Sequence, residues 1–432
     1  MPANTPATPG GGGGSWTRAW TRAPAALALL LAAGAWAWCA HELWGTIVPA
    51  GLRLPHVEVH RFFSASLLRR NSSFERFLDV DGLLELLAPV AVLAVYARHG
   101  QRLMRESAAG RIGTGILLAL LGFALAWLAQ VPFDVAALWW ERRHHVVHEG
   151  YVAGLLGSFI GLGVGFVGIA LAVALAMALA GRMRRWWWAV AAPLFAALAL
   201  LSALLTPYLI TKTHPLHDPA LVAQARTLEA REGVTGTPVL VQDLSRTGTE
   251  VNAETAGIGP SQRVVLWSTL LDGRFSRAET GVVMSHEFGH VARAHVLKRM
   301  GWLALFLIPA TALVALATRR RGGLARPEAV PVAIFVFVVL ELVTLPFFTL
   351  VSRRYEVEAD WSSLRATHEP ATTRRVFEHL ASTNLSDPDP PAWAYLLYAQ
   401  TPTLAQRIAM TEAWEARTGG GFTARGAGPP RR

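Results

Sequence analysis

Apolar residues in this chain come less at amphipathic spacing than in long, nearly unbroken runs. An α-helix needs roughly 20 such residues to cross the ~30 Å hydrocarbon layer of a bilayer. Seven runs approach or exceed that length, at 24–43, 82–97, 112–131, 151–180, 186–210, 302–318 and 330–350. The first is long for the apolar part of a secretory signal, and further spans follow it, so it is expected to stay as a helix. Polar, mixed sequence fills 212–300 and 351–415, with the last two spans lying between. The pattern therefore predicts a mostly α, polytopic membrane protein of about seven transmembrane helices, with a split α+β domain whose two pieces meet in space. The expected divisions are a disordered tail at 1–23, five spans within 24–211, a first catalytic piece at 212–300, two spans at 301–350, a second piece at 351–415 and a disordered tail at 416–432.

Inside the first polar piece, 237–243 (TPVLVQD) and 263–267 (RVVLW) have the β-branched character of strands. The stretch 279–300 reads as one helix, with Ser276 as N-cap and Glu279 three residues on. From 351 to 367 the pattern reads as a helix continuing out of the seventh span.

Composition narrows the classes. The chain has 52% hydrophobic and only 16% charged residues, against about 25% charged in a soluble domain. A purely soluble enzyme and a largely disordered chain are both excluded. The net charge of +10 points to membrane orientation and contact with anionic lipid rather than to nucleic acid. Cys39 is the only cysteine, which excludes a disulfide framework and a cysteine-based zinc site. Any metal must be held by His, Asp or Glu.

The sharpest chemical signal is His286-Glu287-Phe288-Gly289-His290. Residues four apart share a helix face, so both imidazoles can reach one zinc ion. Glu287 is placed to polarise a zinc-bound water and then shuttle its proton. A catalytic zinc needs a third protein ligand and an open fourth position. His295 is expected to turn away from the metal face of a continuous helix. The segment Arg353–Asp360 offers Glu356, Glu358 and Asp360. Glu356 and Asp360 share a face while Glu358 points elsewhere, which assigns Glu356 as ligand and Asp360 as the group orienting a ligating histidine through its other ring nitrogen. The bland alternative is an exposed charged helix.

With these blocks quoted, the chain resembles the type I CAAX prenyl proteases and their HtpX-like bacterial relatives, the integral-membrane gluzincins. The resemblance rests on NAETAG at 252–257, RVVLWSTLL at 263–271, SHEFGHVARAH at 285–295 and SRRYEVEAD at 352–360, in that order. It implies a zincin-like catalytic fold, one Zn²⁺ per subunit held by His286, His290 and Glu356, and Glu287 as general base. It also implies that Asn252, Ala253 and Gly257 belong to an edge strand seating an extended polypeptide by strand addition. One departure stands out: Thr401 occupies the place of a family histidine that helps stabilise the oxyanion, whereas Arg407 matches a family arginine of structural type. Losing one such donor can cost about 10²–10³ in rate.

Other signals are weaker. His144 and His148, beside Trp139 and Trp140, read as interfacial anchoring rather than a metal site. Glu341 within the seventh run either lines an internal chamber or packs as a neutral acid between helices. Asn71-Ser72-Ser73 is a glycosylation sequon by chance pattern only. The glycines of the fourth span read as a close packing face. Arginines before the third span and after the fourth and sixth (Arg98, Arg102, Arg105 and Arg111 among them) outnumber those in the opposite short loops. That asymmetry puts the catalytic pieces outside the cytoplasm, here of a bacterial plasma membrane, whereas the eukaryotic family members face the cytosol.

The expected function is a membrane zinc endopeptidase acting on membrane-associated or misfolded polypeptides, with the bilayer and a polypeptide as partners and no nucleic acid. Two other readings are a signalling or quality-control receptor that cleaves only itself or one partner, and a channel or transporter scaffold with a relic site.

Overall fold

The structure, a computed structural model, describes residues 16–102, 109–210 and 212–419. The two expected terminal tails fall largely outside these, but a helix is already present from Trp16, inside the stretch 1–23 expected as disordered. The chain divides into a unit Met1–Gly45 and a unit Thr46–Arg432. The first holds α1 (Trp16–Trp44).

In the second unit, long apolar helices come first: α2 (Ala65–His99), α3 (Gly110–Arg143), α4 (Tyr151–Met183) and α5 (Trp187–Leu205). The chain then enters a polar region with β1 (Thr213–Pro215), α6 (Pro219–Glu232), β2 (Val239–Gln242), β3 (Ala253–Ala256), β4 (Arg263–Trp267) and α7 (Arg277–Ala292). It returns to apolar sequence in α8 (His295–Thr318) and α9 (Val330–Thr367), then closes with α10 (Pro370–Thr383), α11 (Ala392–Leu397) and α12 (Leu404–Thr418).

Each of the seven apolar runs lies in or across a helix. Among the described residues, five stretches are long and apolar enough to cross a membrane: Ala65–His99, Gly110–Arg143, Gly165–Tyr208, His295–Arg321 and Pro327–Thr367. Gly165–Tyr208 fuses the end of α4 and all of α5 across the tight turn Arg184–Trp186. These helices pack through a shared apolar core containing Leu93, Leu118, Met177, Trp187, Val314 and Ile334. The glycine face of α4 is only partly a packing face. A methyl on Gly154 or Gly165 would collide with Leu138 or Phe123, whereas Gly157, Gly161 and Gly163 face open space.

The polar pieces do come together. The four strands form one sheet in the order β1-β2-β4-β3, which leaves β3 at an edge. β2 and β4 run parallel, while β1 and β3 are antiparallel to their neighbours. α7 is the central element. Its Met284 and Phe288 join a core with Leu221, Leu228, Val264 and Leu266 from α6 and the sheet. Its opposite side sends Val282 into a second core with Val376, Phe377 and Ile408 of α10 and α12. The second polar piece thus completes the packing of the first. α7 begins as its sequence predicts: Ser276 Oγ accepts from Glu279 N, and Glu279 Oε2 accepts from Ser276 N at 2.8 Å, a reciprocal cap whose loss costs about 1 kcal/mol.

The expected single helix over 279–300 is in fact two. It breaks after Ala292, and Ala294 sits in the left-handed region at φ 51° before α8 begins at His295. By contrast, α9 runs without interruption from the seventh apolar run through Thr367.

Candidate metal centre and substrate cleft

α7 and α9 cross unusually closely. A Cβ placed on Gly289 would stand 3.1 Å from Ser362 Cβ and 3.3 Å from the backbone of Ala359. A glycine in the middle of HEFGH lets the two helices meet at this depth without displacing either neighbour. The approach brings Glu356 and Asp360 of α9 against His286 and His290 of α7.

At that crossing His286, His290 and Glu356 offer ligand atoms all within 4.8 Å of one another, the only such group of three among the described residues. The two Nε2 atoms are 3.1 Å apart, and Glu356 places Oε2 3.3 Å from His286 Nε2 and Oε1 3.4 Å from His290 Nε2. Two imidazoles and one carboxylate, each aimed inward, suit a borderline divalent cation with one position left open.

The outer faces of the imidazoles are held too. His286 Nδ1 lies 2.8 Å from Asp360 Oδ1. Asp360 in turn accepts a forked pair from Arg407, Nε to Oδ2 at 2.8 Å and Nη2 to Oδ1 at 2.6 Å. Burial disfavours the Arg407 charge, but Asp360 more than restores it, so this arginine anchors Asp360 from α12. Burial likewise opposes charging His286, yet hydrogen bonds to Asp360 and Glu356 outweigh it and push its pKa up to about 10. A cation held by the group would take the place of that proton.

Two side chains set aside on sequence grounds belong here. Because the helix breaks at Ala294, His295 does not turn away: its Nδ1 lies 2.8 Å from His290 Nδ1. Glu358, which does point away from the three inward groups, meets His295 Nε2 with its Oε2 at 3.1 Å. A helix-breaking signal is missing from Val291–His295 (VARAH), and no local pattern announces a contact spanning 63 positions.

The cleft in front of these groups has a volume of about 390 Å³ and is walled by β3, α7, the start of α8, α9 and the segment around Thr401. Asn252 and Ala253 line it, with Glu254 and Thr255. Trp267 N donates to Asn252 O, so with Ala253 opposite Leu266 the alternation of an antiparallel pair turns the peptide groups of Ala253 and Thr255 away from β4, toward the cleft. Asn252 Oδ1 takes the Ala253 N–H. Gly257 is not part of the wall. It is buried at φ 84°, where a Cβ would strike Ser261 O at 2.5 Å, and it makes the turn that ends the strand. Glu287 is buried, and the Thr255 hydroxyl lies 2.9 Å from its Oε2. Glu254, exposed on the cleft side, has its carboxyl pushed up, first by desolvation between the walls and then by the charge of Glu287. Gln400 and Thr401 are exposed in the same cleft.

Other sequence signals resolve away from this centre. His144 packs edge-on to Phe74 and against Trp140, with its Nδ1 2.9 Å from Trp140 O. Asn71 is buried, donating to Ala381 O and Ser386 O, so its amide is a tether between α2 and the second polar piece. Glu341 lies on α9 within the apolar stretch Pro327–Thr367, away from the metal-ligand group.

Residues 215–415 match the model of peptidase family M48. The chain is 26% identical over 245 residues to an uncharacterized metalloprotease of Bacillus subtilis, covering 54% of this chain and 57% of that protein. It is 28% identical over 190 residues to a CAAX prenyl protease 1 homolog of Dictyostelium discoideum, covering 40% of this chain and 44% of that one. It thus spans about half the length of these curated relatives. The crystal structure of Ste24p from S. mikatae superposes with a TM-score of 0.64 at 18% identity, over 85% of this chain and 92% of that one; at that identity the likeness is one of fold. Together with the five apolar stretches, these findings support an integral membrane metalloprotease whose residues 215–415 are similar to peptidase family M48 and to the CAAX proteases, a similarity that implies a bound metal cofactor.

Proposed function

We propose that this protein is a zinc-dependent endopeptidase that hydrolyses peptide bonds in membrane-associated or misfolded polypeptides. The observation that carries the reading is the inward convergence of His286, His290 and Glu356 within 4.8 Å, beside a buried carboxylate and an open sheet edge. Zinc held by those three residues would supply Lewis acidity toward a scissile carbonyl.

The remaining work falls to the chain's own groups. β3 receives the substrate as an added strand, through the carbonyl of Ala253 and the peptide groups of Thr255, which fixes the scissile bond over the cleft. Asn252 stiffens that edge by taking the neighbouring N–H. Thr255 holds Glu287 at Oε2, so Oε1 takes the proton from the attacking water and returns it to the departing nitrogen. Asp360, clamped by Arg407, fixes the ring of His286. Thr401 is a weak donor to a developing oxyanion, and turnover is correspondingly slow. The arginine asymmetry supports a catalytic domain outside the cytoplasm, which a reporter fused after Arg432 and active only in the cytoplasm would refute.

The test uses purified full-length protein in detergent with casein as substrate. Cleavage that vanishes in Glu287→Gln and after chelation, and returns with zinc, is the expected result. Bulk casein left intact while the protein cuts itself would replace this reading by a self-processing receptor, and no cleavage of either would leave a scaffold.

A further inference from the structure

The two imidazoles at the centre are supported differently. His286 meets a carboxylate directly, at Asp360. His290 meets a second imidazole, His295, and only beyond it the carboxylate of Glu358. His295 and Glu358 are both almost fully buried. The His295 ring lies stacked on Tyr355, centroids 4.6 Å apart and planes 11° apart. Glu358 is itself pinned, since its Oε1 accepts from Ile47 N at 3.0 Å and Lys298 Nζ stands 3.6 Å from Oε2.

For a neutral His295, hydrogen-bond bookkeeping leaves one arrangement for this chain of groups. A carboxylate only accepts, so His295 Nε2 carries the proton it donates to Glu358. The neutral ring then has a lone pair at Nδ1, which can only accept from His290 Nδ1–H. His290 is thereby left with its lone pair at Nε2, the atom that faces His286 and Glu356. We infer that His295 and Glu358 form a relay that selects the metal-binding tautomer of His290 and aims its ring, making His295 a positioning residue for the centre. The left-handed Ala294 is the backbone device that swings His295 into this place. The inference rests on the zinc-protease reading and adds to it two residues beyond the three that converge on the ion.

The test measures zinc affinity of the full-length protein in detergent by competition with a chromophoric chelator, alongside thermal unfolding of the chelator-stripped protein. Variants are His295→Phe, which keeps the ring on Tyr355 and removes both hydrogen bonds, and Glu358→Gln, which keeps the shape and lets Nε2 lose its fixed role. His290→Ala serves as the reference. We expect zinc affinity to fall about 10- to 100-fold in His295→Phe, and by less in Glu358→Gln, with the unfolding midpoint of the stripped protein unchanged. Affinity within twofold of the parent in both variants, while His290→Ala loses the ion, would overturn the relay and leave the metal centre intact. A parent protein that binds no zinc, or a His290→Ala variant that binds as well as the parent, would overturn the metal reading and the relay together. If His295→Phe does not fold, Glu358→Gln alone decides between these outcomes.

Discussion

Thr255 and Glu287 join the sheet edge to the buried carboxylate of α7: the hydroxyl of one lies 2.9 Å from Oε2 of the other and equally 2.9 Å from the Glu287 carbonyl oxygen. The residue whose peptide groups face the cleft thus also fixes the carboxylate proposed as the general base. Thr255→Val keeps the shape of the side chain and removes the donor. Peptidase kcat should fall about 10-fold or more while zinc affinity holds, because a misaimed base loses part of the 10²–10⁴ that general-base catalysis supplies. Steady-state kinetics with a metal assay checks both halves, and an unchanged kcat would show that Thr255 does not position the base.

Gly289 sets the depth at which α7 meets α9. Gly289→Ala asks Ser362 Cβ and the Ala359 backbone, at 3.1 and 3.3 Å, to give way, and a backbone gives way poorly. Overpacking of this kind costs about 1–3 kcal/mol and moves Glu356 outward from the two imidazoles. The expected result is a lower melting temperature together with weaker zinc binding. A melting temperature lowered without any change in affinity would mean that the two helices can separate without disturbing the ligands.

Arg407 and Asp360 are a buried pair with side-chain exposures of 11% and 4%. Removing one partner of such a pair strands the other charge, at a cost of about 3–5 kcal/mol. Arg407→Met is therefore expected to unfold at a much lower denaturant concentration. Arg407→Lys, which cannot make the forked contact, should fold but bind zinc less tightly. Equal stability of the methionine variant and the parent would refute the anchoring role.

Glu232 lies in a pocket with Arg231, Arg293 and Arg365 behind the centre, yet its Oε1 is buried without a hydrogen-bond partner. Burial pushes its carboxyl up, against the pull of a hydrogen bond from Ser362 and of Arg293 and Arg365. An acid whose folded pKa is raised holds its proton longer when folded, so its ionisation costs stability as pH climbs past the ordinary carboxylate range. Well below that range the folded and unfolded forms are both protonated and the cost disappears. Glu232→Gln should accordingly raise the melting temperature at pH 8 and have little effect at pH 4. An effect of the same size at both pH values would exclude the charge as its cause.

Much of this architecture is legible in the sequence, for identifiable reasons. Apolar runs report membrane helices because hydrocarbon tolerates little else, and the Ser276–Glu279 pair marks the start of α7 through its local hydrogen bonds. The four-residue spacings of His286 with His290 and of Glu356 with Asp360 report shared faces because helix geometry is fixed. What escapes is non-local. Nothing in VARAH marks a break, because the left-handed residue is an alanine and that conformation, costing about 1–2 kcal/mol, is imposed by tertiary packing. With the break hidden, His295 is assigned to the wrong side and Glu358 loses its visible purpose. Gly257 escapes for the opposite reason. It sits within a recognisable block, but its task is the turn after the strand rather than the strand's cleft face.

The uninterrupted α9 acts as a ruler. From Leu350, where the last apolar run ends, to Glu356 is six residues of one helix, or about 9 Å of rise, with no loop in between. The height of the proposed cutting point above the end of the apolar run is thus built into the rod itself. A target would then be chosen as much by how far its cleavable bond stands from the bilayer as by the side chains flanking that bond.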